Sequence, residues 1–417
     1  MHGAGRDLNL NGGSAMFDTG NTGFMLLATS LVMLMTPGLA FFYGGLVGRK
    51  NVLAIMMQSF VSMGITTILW YTIGYSLCFS GGEGGIIGNL DMAFLHGIKI
   101  TDAVAGHSGL PVLVVVAYQM MFAIITPALI TGAFTNRVRF KAYLIFLVLW
   151  LLFVYFPFVH MVWGGGMLQQ WGVQDFAGGI VVHAIAGMAA LASIYYVGKR
   201  KVAESGPHSI PLVALGTGLL WFGWYGFNAG SQMKVDAVTG LAFLNTDLAA
   251  SFAGPTWLLL AWKFEKKPKF LGLLTGAVAG LACITPAAGY VTPAAASVIG
   301  VLAGVVCYFA VYMKNKLGWD DALDVWGVHG VGGTLGVILL GVFANWHVNP
   351  AGVNGLLHGN AGFFIRETVA VLGASAYAFI FTYVMLRLIN LVTPVRVTDE
   401  EETLGLDESL HGEVAYL

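Results

Sequence analysis

The 417-residue chain has few charged residues. Asp, Glu, Lys and Arg make up only 10% of it, whereas soluble globular domains contain about 25%. This deficit excludes a soluble multidomain protein, and we expect no nucleic-acid partner. Hydrophobic residues instead make up 57% of the chain. The composition therefore predicts a polytopic membrane protein that folds as one helical bundle within a lipid bilayer.

Cysteine is also scarce. The three cysteines, Cys78, Cys283 and Cys307, all lie in apolar segments. Small buried side chains explain such positions better than a disulfide framework or a metal cluster does. We therefore expect no metal site and no cofactor.

Long apolar segments recur along the chain. A bilayer core of about 30 Å needs roughly 20 apolar residues per helix. Residues 1–21 lack the basic-then-apolar order of a signal peptide, so we expect no cleaved leader. The predicted spans lie at 22–43, 51–79, 111–134, 140–158, 175–197, 210–230, 240–262, 270–289, 295–313, 324–345 and 362–391. The prediction is an all-α fold with eleven transmembrane helices in a domain of residues 1–397, followed by a C-terminal tail of residues 398–417.

The basic residues are distributed unevenly between alternate loops. Of the 20 Lys and Arg, all but Arg6, Lys99, Lys234 and Arg366 fall on one side of the predicted bundle. Lys and Arg are retained on the cytoplasmic side of a membrane. We therefore expect the N-terminus to lie outside and the C-terminus to lie in the cytoplasm.

Two histidines lie at matched positions inside apolar segments. His183 and His329 follow Asp175 and Asp321, respectively, by eight residues. Eight helical residues rise about 12 Å, so each histidine reaches about the bilayer centre, from opposite faces. Spans 1–5 and 6–10 then form an inverted repeat with span 11 added, and such repeats place a substrate path at their interface. An intramembrane histidine is costly without a partner, which favours a shared site over two independent packing residues.

The two aspartates precede predicted helices. Helix N-termini favour carboxylates, so helix capping explains both Asp175 and Asp321. Asp175 has a second potential role, because its charge near the outer mouth would stabilise an arriving cation.

Some aromatic residues occur in distinctive contexts. Trp163 lies in HMVWGGG, Trp224 and Phe227 lie in WFGWYGFNAGS, and Phe122 lies in YQMMFAIITPALITG. Most aromatic residues of a membrane protein are interfacial anchors or face lipid. An aromatic cage with a hydroxyl such as that of Ser231 would instead hold a small ammonium-like cation by cation–π attraction.

These segments resemble the Amt/Mep/Rh ammonium transporter family, specifically its prokaryotic Amt branch. The matching stretches, which run from residue 36 to residue 416, are TPGLAFFYGGLVGRKN, HMVWGGG, DFAGGIVVHAIAG, GWYGFNAGS, DDALDVWGVHGVGGTLG and GLDESLHGEVAY. The resemblance implies a transporter rather than an enzyme. It also implies an eleven-helix bundle with pseudo-twofold halves, assembled as a homotrimer with one pore in each subunit.

The resemblance implies an outer recruitment site at matching positions. Phe122 and Trp163 would form its aromatic box, Ser231 would supply the hydroxyl, and Asp175 would support the site electrostatically. Tyr118 stands one helical turn before Phe122, where some relatives have phenylalanine. Its hydroxyl would lie near the entrance and would affect which cations the site prefers.

The resemblance also implies a narrow pore below that site. Phe122 and Phe227 would form a stacked gate. His183 and His329 would line the pore beneath the gate, with Trp224 beside them.

The expected function is transport of ammonium across the inner (plasma) membrane. Moving a small cation into a low-dielectric interior costs of order 20 kcal/mol before compensation, and neutral ammonia avoids most of that cost. Ammonium would therefore lose its proton at the outer site and cross as ammonia. The two imidazoles would align ammonia and could relay the proton.

Two other functions fit parts of the pattern. The first is an ammonium sensor that signals to a cytosolic partner, for which the resemblance suggests a trimeric PII-type protein at the cytoplasmic face. The second is a membrane redox enzyme with His183 and His329 as axial haem ligands. The glycine-rich surroundings and the lack of an attachment motif disfavour haem.

Overall fold

The computed structural model describes residues 17–104, 109–202 and 206–416. Its regular elements in these ranges are helices, with two isolated β-bridges and no longer strand. The eleven long elements are α1 Thr19–Leu46, α2 Val52–Phe79, α3 Val112–Phe134, α4 Phe140–Trp150 continued by Leu151–Tyr155 and Phe156–Trp163, α5 Gly179–Val197, α6 Ile210–Gly230, α7 Ala237–Glu265, α8 Phe270–Ile284, α9 Pro293–Leu317, α10 Trp326–Phe343 and α11 Ala361–Val392. Two short helices follow in the tail, α12 Asp399–Leu404 and α13 Leu406–His411.

The predicted all-α membrane fold is confirmed. In the described ranges, nine helices are long and apolar enough to cross a membrane. The remaining two long elements are α8, which is apolar but only 15 residues long, and α7, whose 29 residues include the polar group Asn245, Thr246 and Asp247. The outer surface of the bundle is apolar as well, since Phe222, Leu259 and Ile380 are each more than half exposed. Such a surface suits lipid rather than water.

Boundaries of the fourth, fifth, eighth and ninth helices differ from the prediction by four or five residues. The eighth ends at Ile284 rather than at residue 289, and the ninth continues past residue 313 to Leu317. The fourth helix continues past residue 158 to Trp163. The fifth begins at Gly179 rather than at residue 175, because Asp175 lies in the turn before the helix and caps it. The predicted outer position of Arg6 concerns a residue outside the described ranges.

The starts of α5 and α10 share an unusual local geometry. Each begins with a π-helical turn, Gly179–Ala184 and Trp326–Val331, and each turn contains one of the two histidines. Just before each turn a residue adopts a left-handed conformation, Gly178 with φ 120° and Asp324 with φ 61°. Single π-helical turns are rare and often occur at functional sites. The same geometry in both halves is what an inverted repeat requires.

Close contact between glycines brings α5 and α10 together. A Cβ atom added to Gly187 would lie 2.0 Å from the backbone nitrogen of Gly330, and one added to Gly333 would lie 2.6 Å from the Cβ of His183. No side chain fits at these distances, so the two backbones touch directly. The helix crossing therefore lies beside both histidines.

The tail packs against one end of the bundle. The Asp407 carboxylate accepts a hydrogen bond from the backbone N–H of Ala54 at 2.7 Å, near the start of α2. Arg139 in the loop before α4 pairs with Glu401 at 2.8 Å. The tail and the basic loops therefore share one face of the protein. Residues 1–397 and 398–417 remain a predicted division of the chain.

The same face carries a buried cation. Arg137 is fully buried, lies 3.3 Å from Asp320 and donates hydrogen bonds to the carbonyl oxygens of Gly198 and Ala133. Burial lowers the pKa of Arg137 to about 10, so it stays charged at neutral pH. Burial would raise the pKa of Asp320, but hydrogen bonds from Arg200 and the charge of Arg137 outweigh burial and lower it. This cluster joins the loops after α3 and α5 to the start of the segment that leads into α10.

Candidate functional site

The two histidines contact each other at the centre of the bundle. Nδ1 of His183 lies 3.2 Å from Nδ1 of His329, and the ring planes are inclined by only 19°. Both side chains are buried. In a hydrogen bond between two Nδ1 atoms of neutral imidazoles, one ring carries its proton on Nδ1 and the other carries it on Nε2. The pair therefore has a donor–acceptor direction that reverses when both tautomers change.

One ring nitrogen is left without a partner. Nε2 of His183 is buried and has no hydrogen-bond partner among the described residues. A buried polar atom of this kind costs about 1–3 kcal/mol unless it is satisfied. A small polar molecule beside the ring would satisfy it.

Two cavities meet at the histidines. The first lies beside both rings and is lined mainly by apolar side chains, including those of Leu129 and Trp224. Its volume is ≈ 10 Å³, counted as the space open to the centre of a water-sized sphere. This volume accommodates about one small molecule. The second reaches His329 from the face that carries Arg200, and its volume by the same measure is ≈ 230 Å³. A small apolar cavity and a wider cavity therefore share His329, and the wider one lies on the side of the protein that carries Arg200.

Two phenylalanines stack directly over the pair. The ring centroids of Phe122 and Phe227 lie 4.2 Å apart with planes inclined by 26°. Phe227 lies 6.1 Å from His183, and the rings of Trp224 and His183 are stacked at 5.4 Å. Both phenylalanines are fully buried. The stack therefore separates the narrow cavity from the side that Trp163 occupies.

Two hydroxyl groups lie beside the Phe227 carbonyl, close to the end of α6. The ring of Trp163 meets that of Phe122 nearly at a right angle, 6.0 Å away. The Ser231 hydroxyl donates to the carbonyl of Phe227 at 2.9 Å. The Tyr118 hydroxyl lies 2.8 Å from the same carbonyl and 3.3 Å from Ser231 Oγ. Since each hydroxyl directs its single proton to a backbone carbonyl, both oxygens retain lone pairs that can accept a hydrogen bond.

Asp175 occupies a different position from the other predicted site residues. Its carboxylate accepts hydrogen bonds from four backbone amides at the start of α5, those of Gly178, Gly179, Ile180 and Val181, at 2.7–3.2 Å. Its backbone carbonyl accepts one from Nε1 of Trp163 at 2.9 Å. The carboxylate is thus directed to the helix, and Asp175 contacts the aromatic site through its main chain.

The structure brings the other predicted residues into one continuous column. From one end to the other, the column contains Trp163, Phe122, Phe227, His183 and His329. Tyr118 and Ser231 lie beside its upper part, and Trp224 lies beside its lower part.

Two residues that lie behind the column were not predicted from the sequence. The Thr285 hydroxyl accepts a hydrogen bond from the indole N–H of Trp224 at 2.9 Å. Glu367 lies buried in α11, behind the turn that contains Asp175. The sequence could have indicated a role for Glu367, because a carboxyl group within a predicted span is unusual. Thr285 carried no such signal, because threonines are common in membrane helices.

The short distance between the two histidines argues against the haem alternative. The two Nδ1 atoms are already at hydrogen-bond distance from each other, and the adjacent cavity accommodates about one small molecule. Two axial ligands must stand on opposite sides of a porphyrin. The rings leave no space for a macrocycle between them.

Comparison with known proteins extends over nearly the whole chain. Residues 23–416 match the family described as Ammonium Transporter Family. The chain is 47% identical over 399 residues to an ammonium transporter of Bacillus subtilis (strain 168), covering 95% of this chain and 98% of that protein. Its structure is similar to that of Candida albicans Mep2, with a TM-score of 0.87, 34% identity and coverage of 95% and 89% of the two chains. It is also similar to a structure titled "Sensor Amt Protein", with a TM-score of 0.86, 29% identity and coverage of 93% and 97%.

Proposed function

The chain belongs to the ammonium transporter family, and we propose that it conducts ammonia through the narrow cavity beside His183 and His329 after ammonium has lost its proton. The family membership makes it a multi-pass membrane protein that transports ammonium and is not an enzyme. The observation that carries the finer proposal is the hydrogen bond between the two imidazoles in an otherwise apolar cavity.

Ammonium is first recruited above the phenylalanine stack. The ring of Trp163 attracts the cation through its π-electrons, and the oxygens of Ser231 and Tyr118 accept hydrogen bonds from its N–H groups. Binding here needs no entry into the apolar cavity. The cation remains on the Trp163 side of the stack, where the indole ring and the two hydroxyl oxygens compensate for its charge.

The nitrogen then transfers one proton to solvent water on the Trp163 side of the stack. Transferring the intact cation through an apolar cavity costs of order 20 kcal/mol before compensation, whereas ammonia is uncharged. Movement of Phe122 and Phe227 opens the stack to the neutral molecule. Ammonia can then bond to Nε2 of His183, the ring nitrogen without a protein partner. Tautomer exchange across the pair provides a path for the proton should transport prove electrogenic.

Flux into proteoliposomes tests this proposal against the sensor alternative. Purified protein is expected to admit ammonium and methylammonium but to exclude potassium. Saturable uptake with this selectivity supports conduction. A protein that binds ammonium but leaves vesicle uptake at the level of empty vesicles would contradict conduction and favour a sensor. The structural likeness to "Sensor Amt Protein" has a lower identity than the likeness to the Bacillus transporter, so it does not favour the sensor function.

Replacing Tyr118 with phenylalanine tests the outer site. The variant keeps the aromatic ring but removes the oxygen that lies 3.3 Å from Ser231 Oγ. One hydrogen bond contributes about 1 kcal/mol, so we expect the KM for ammonium to rise about fivefold with little change in maximal rate. The concentration dependence of flux measures both values. Tyr196→Phe, a change away from the column, is the control. An unchanged KM in Tyr118→Phe would remove this hydroxyl from the binding site.

The basic loops and the tail support the proposed orientation. Arg139 and Arg396 pair with Glu401 and Glu402 of the tail, so the tail lies on the side that carries most of the positive loop charge. Because that side is cytoplasmic, we propose that the C-terminus is cytoplasmic and the N-terminus is outside, in the plasma (inner) membrane. We further propose a homotrimer and a PII-type regulatory protein that binds the cytoplasmic face.

The docked tail leads to a further prediction. Asp407→Leu removes the acceptor for the Ala54 amide, so α12 and α13 should detach more often. Losing about 1.4 kcal/mol would make protease cleavage before α12 about tenfold faster. Limited proteolysis measures this rate, and Glu400→Leu, a change at an exposed position of α12, is the control. Equal cleavage rates for both variants and the unmodified protein would show that this contact does not hold the tail.

A further inference from the structure

A carboxyl group lies buried in the helix that belongs to neither half of the repeat. Glu367 lies two turns into α11 and its exposed fraction is 0%. Carboxyl groups within a membrane helix are expensive and usually serve a function. The proposed pathway does not use this group, because Glu367 is not part of the aromatic column or of the cavities beside the histidines.

The Glu367 carboxyl group contacts one backbone group. Its Oε1 accepts a hydrogen bond from the backbone N–H of Gln174 at 2.7 Å. Its other oxygen, Oε2, has no hydrogen-bond partner among the described residues. Capping of α11 does not explain this geometry, since Asn360 already caps that helix. The contact instead connects α11 to the turn before α5.

That turn is held at three successive residues. The N–H of Gln174 donates to Glu367, the carbonyl of Asp175 accepts from the indole of Trp163, and the N–H of Phe176 donates to the carbonyl of Pro286 at 3.1 Å. The three partners come from α11, α4 and the segment after α8. The Gln174 N–H belongs to the peptide unit that precedes Gln174, whereas the Asp175 carbonyl and the Phe176 N–H belong to one unit after Asp175. Losing the Glu367 contact therefore frees the backbone on the N-terminal side of Asp175.

The position of Trp163 depends on this turn. Its indole N–H has the Asp175 carbonyl as its acceptor, and that carbonyl is one residue after the N–H that Glu367 holds. Release of Gln174 would let the backbone leading into Asp175 shift, and a shift of Asp175 would move the acceptor away from the indole. Displacements of about 1 Å at a positioning group can cost a site much of its function.

We propose that Glu367 is a positioning residue for ammonium recruitment, acting through the Gln174–Asp175 backbone to orient the indole of Trp163. This role rests on the proposed outer site. It makes α11 part of the recruitment machinery, although the helix touches neither the cation nor the pore. The action depends on the position of the acceptor oxygen rather than on its negative charge.

Two conservative variants separate position from charge. Glu367→Gln keeps an oxygen acceptor at the same distance along the side chain but removes the charge. Glu367→Asp keeps the charge but is one methylene shorter, which withdraws the acceptor from Gln174. We expect the KM for ammonium flux in proteoliposomes to stay near that of the unmodified protein in Glu367→Gln. In Glu367→Asp we expect it to rise about fivefold, with a smaller change in maximal rate.

A double-variant cycle tests the route through Trp163. Trp163→Phe keeps an aromatic ring but cannot donate to Asp175, so it should already lose the orientation that Glu367 maintains. Glu367→Asp should therefore add little to the KM of Trp163→Phe. Thr368→Val, which removes a neighbouring hydroxyl bonded only within α11, is the control for nonspecific effects on the helix.

The outcomes distinguish failure of this role from failure of the outer site. If Trp163→Leu leaves the KM unchanged, the recruitment site is wrong and the role of Glu367 is overturned with it. If Trp163→Leu raises the KM but Glu367→Asp does not, only the role of Glu367 is overturned. Equal increases in Glu367→Gln and Glu367→Asp, or fully additive effects in the cycle, would also overturn positioning through Trp163.

Discussion

Replacing both His183 and His329 with leucine should reduce ammonium flux about a hundredfold. Ammonia in the narrow cavity would lose its polar partners, and two hydrogen bonds of about 1.4 kcal/mol each correspond to two factors of ten in rate. The leucines keep the cavity apolar, so potassium flux should remain negligible. Uptake of ammonium and potassium into proteoliposomes measures both effects.

The single replacements indicate whether the histidines act as a pair. Leucine at either position breaks the same Nδ1–Nδ1 hydrogen bond, so the loss in the double variant should be smaller than the product of the two single losses. His347→Leu, at an exposed position outside the column, is the control. Unchanged ammonium flux and unchanged selectivity over potassium in the double variant would contradict conduction past these side chains.

Gly187→Ala should disrupt both the fold and transport. A Cβ atom at this position would lie 2.0 Å from the backbone nitrogen of Gly330, which cannot move without moving α10. Overpacking of this kind costs about 1–3 kcal/mol or more. Separating the helices would also lengthen the hydrogen bond between the histidines, which is already 3.2 Å. We expect a lower melting temperature in detergent and a flux reduced at least about tenfold.

A matched glycine provides the control for this experiment. Gly218 also lies inside a membrane helix, but nothing lies within 4 Å of a Cβ added there. Gly218→Ala should keep its flux and should not lower the melting temperature, because alanine favours helix by about 1 kcal/mol over glycine. If the two variants behave alike, direct backbone contact between α5 and α10 is not what positions the histidines.

The prediction of helices from composition succeeded because the bilayer imposes a simple rule. Each span must be long and apolar and must satisfy its own backbone hydrogen bonds. The boundaries were less accurate at α4, α5, α8 and α9, and the first two flank the proposed recruitment site. The side chain of Asp175 and the π-helical turn at Gly179 determine where α5 begins, and neither has a hydropathy signal.

The predicted role of Asp175 shows the limit of spacing arguments. Its position before a helix correctly indicated capping. It did not indicate that four backbone amides would donate hydrogen bonds to the carboxylate. Nor did the sequence indicate that the Asp175 carbonyl receives the indole of Trp163, or that Glu367 holds the preceding residue. These contacts join segments that are far apart in the chain.

The sequence alone determined the membrane environment, the all-α class, the matched spacing of the two histidines after Asp175 and Asp321 and, through resemblance, the family. Apolar length and residue spacing along a helix are local properties, so they can be read without knowing which helices are neighbours. The tertiary structure alone decided that Nδ1 faces Nδ1, that Phe122 stacks on Phe227, and that Glu367 of α11 contacts the turn before α5. Those features depend on helix rotation and separation, which for the histidine pair are set where Gly187 meets Gly330 across the two halves of the bundle.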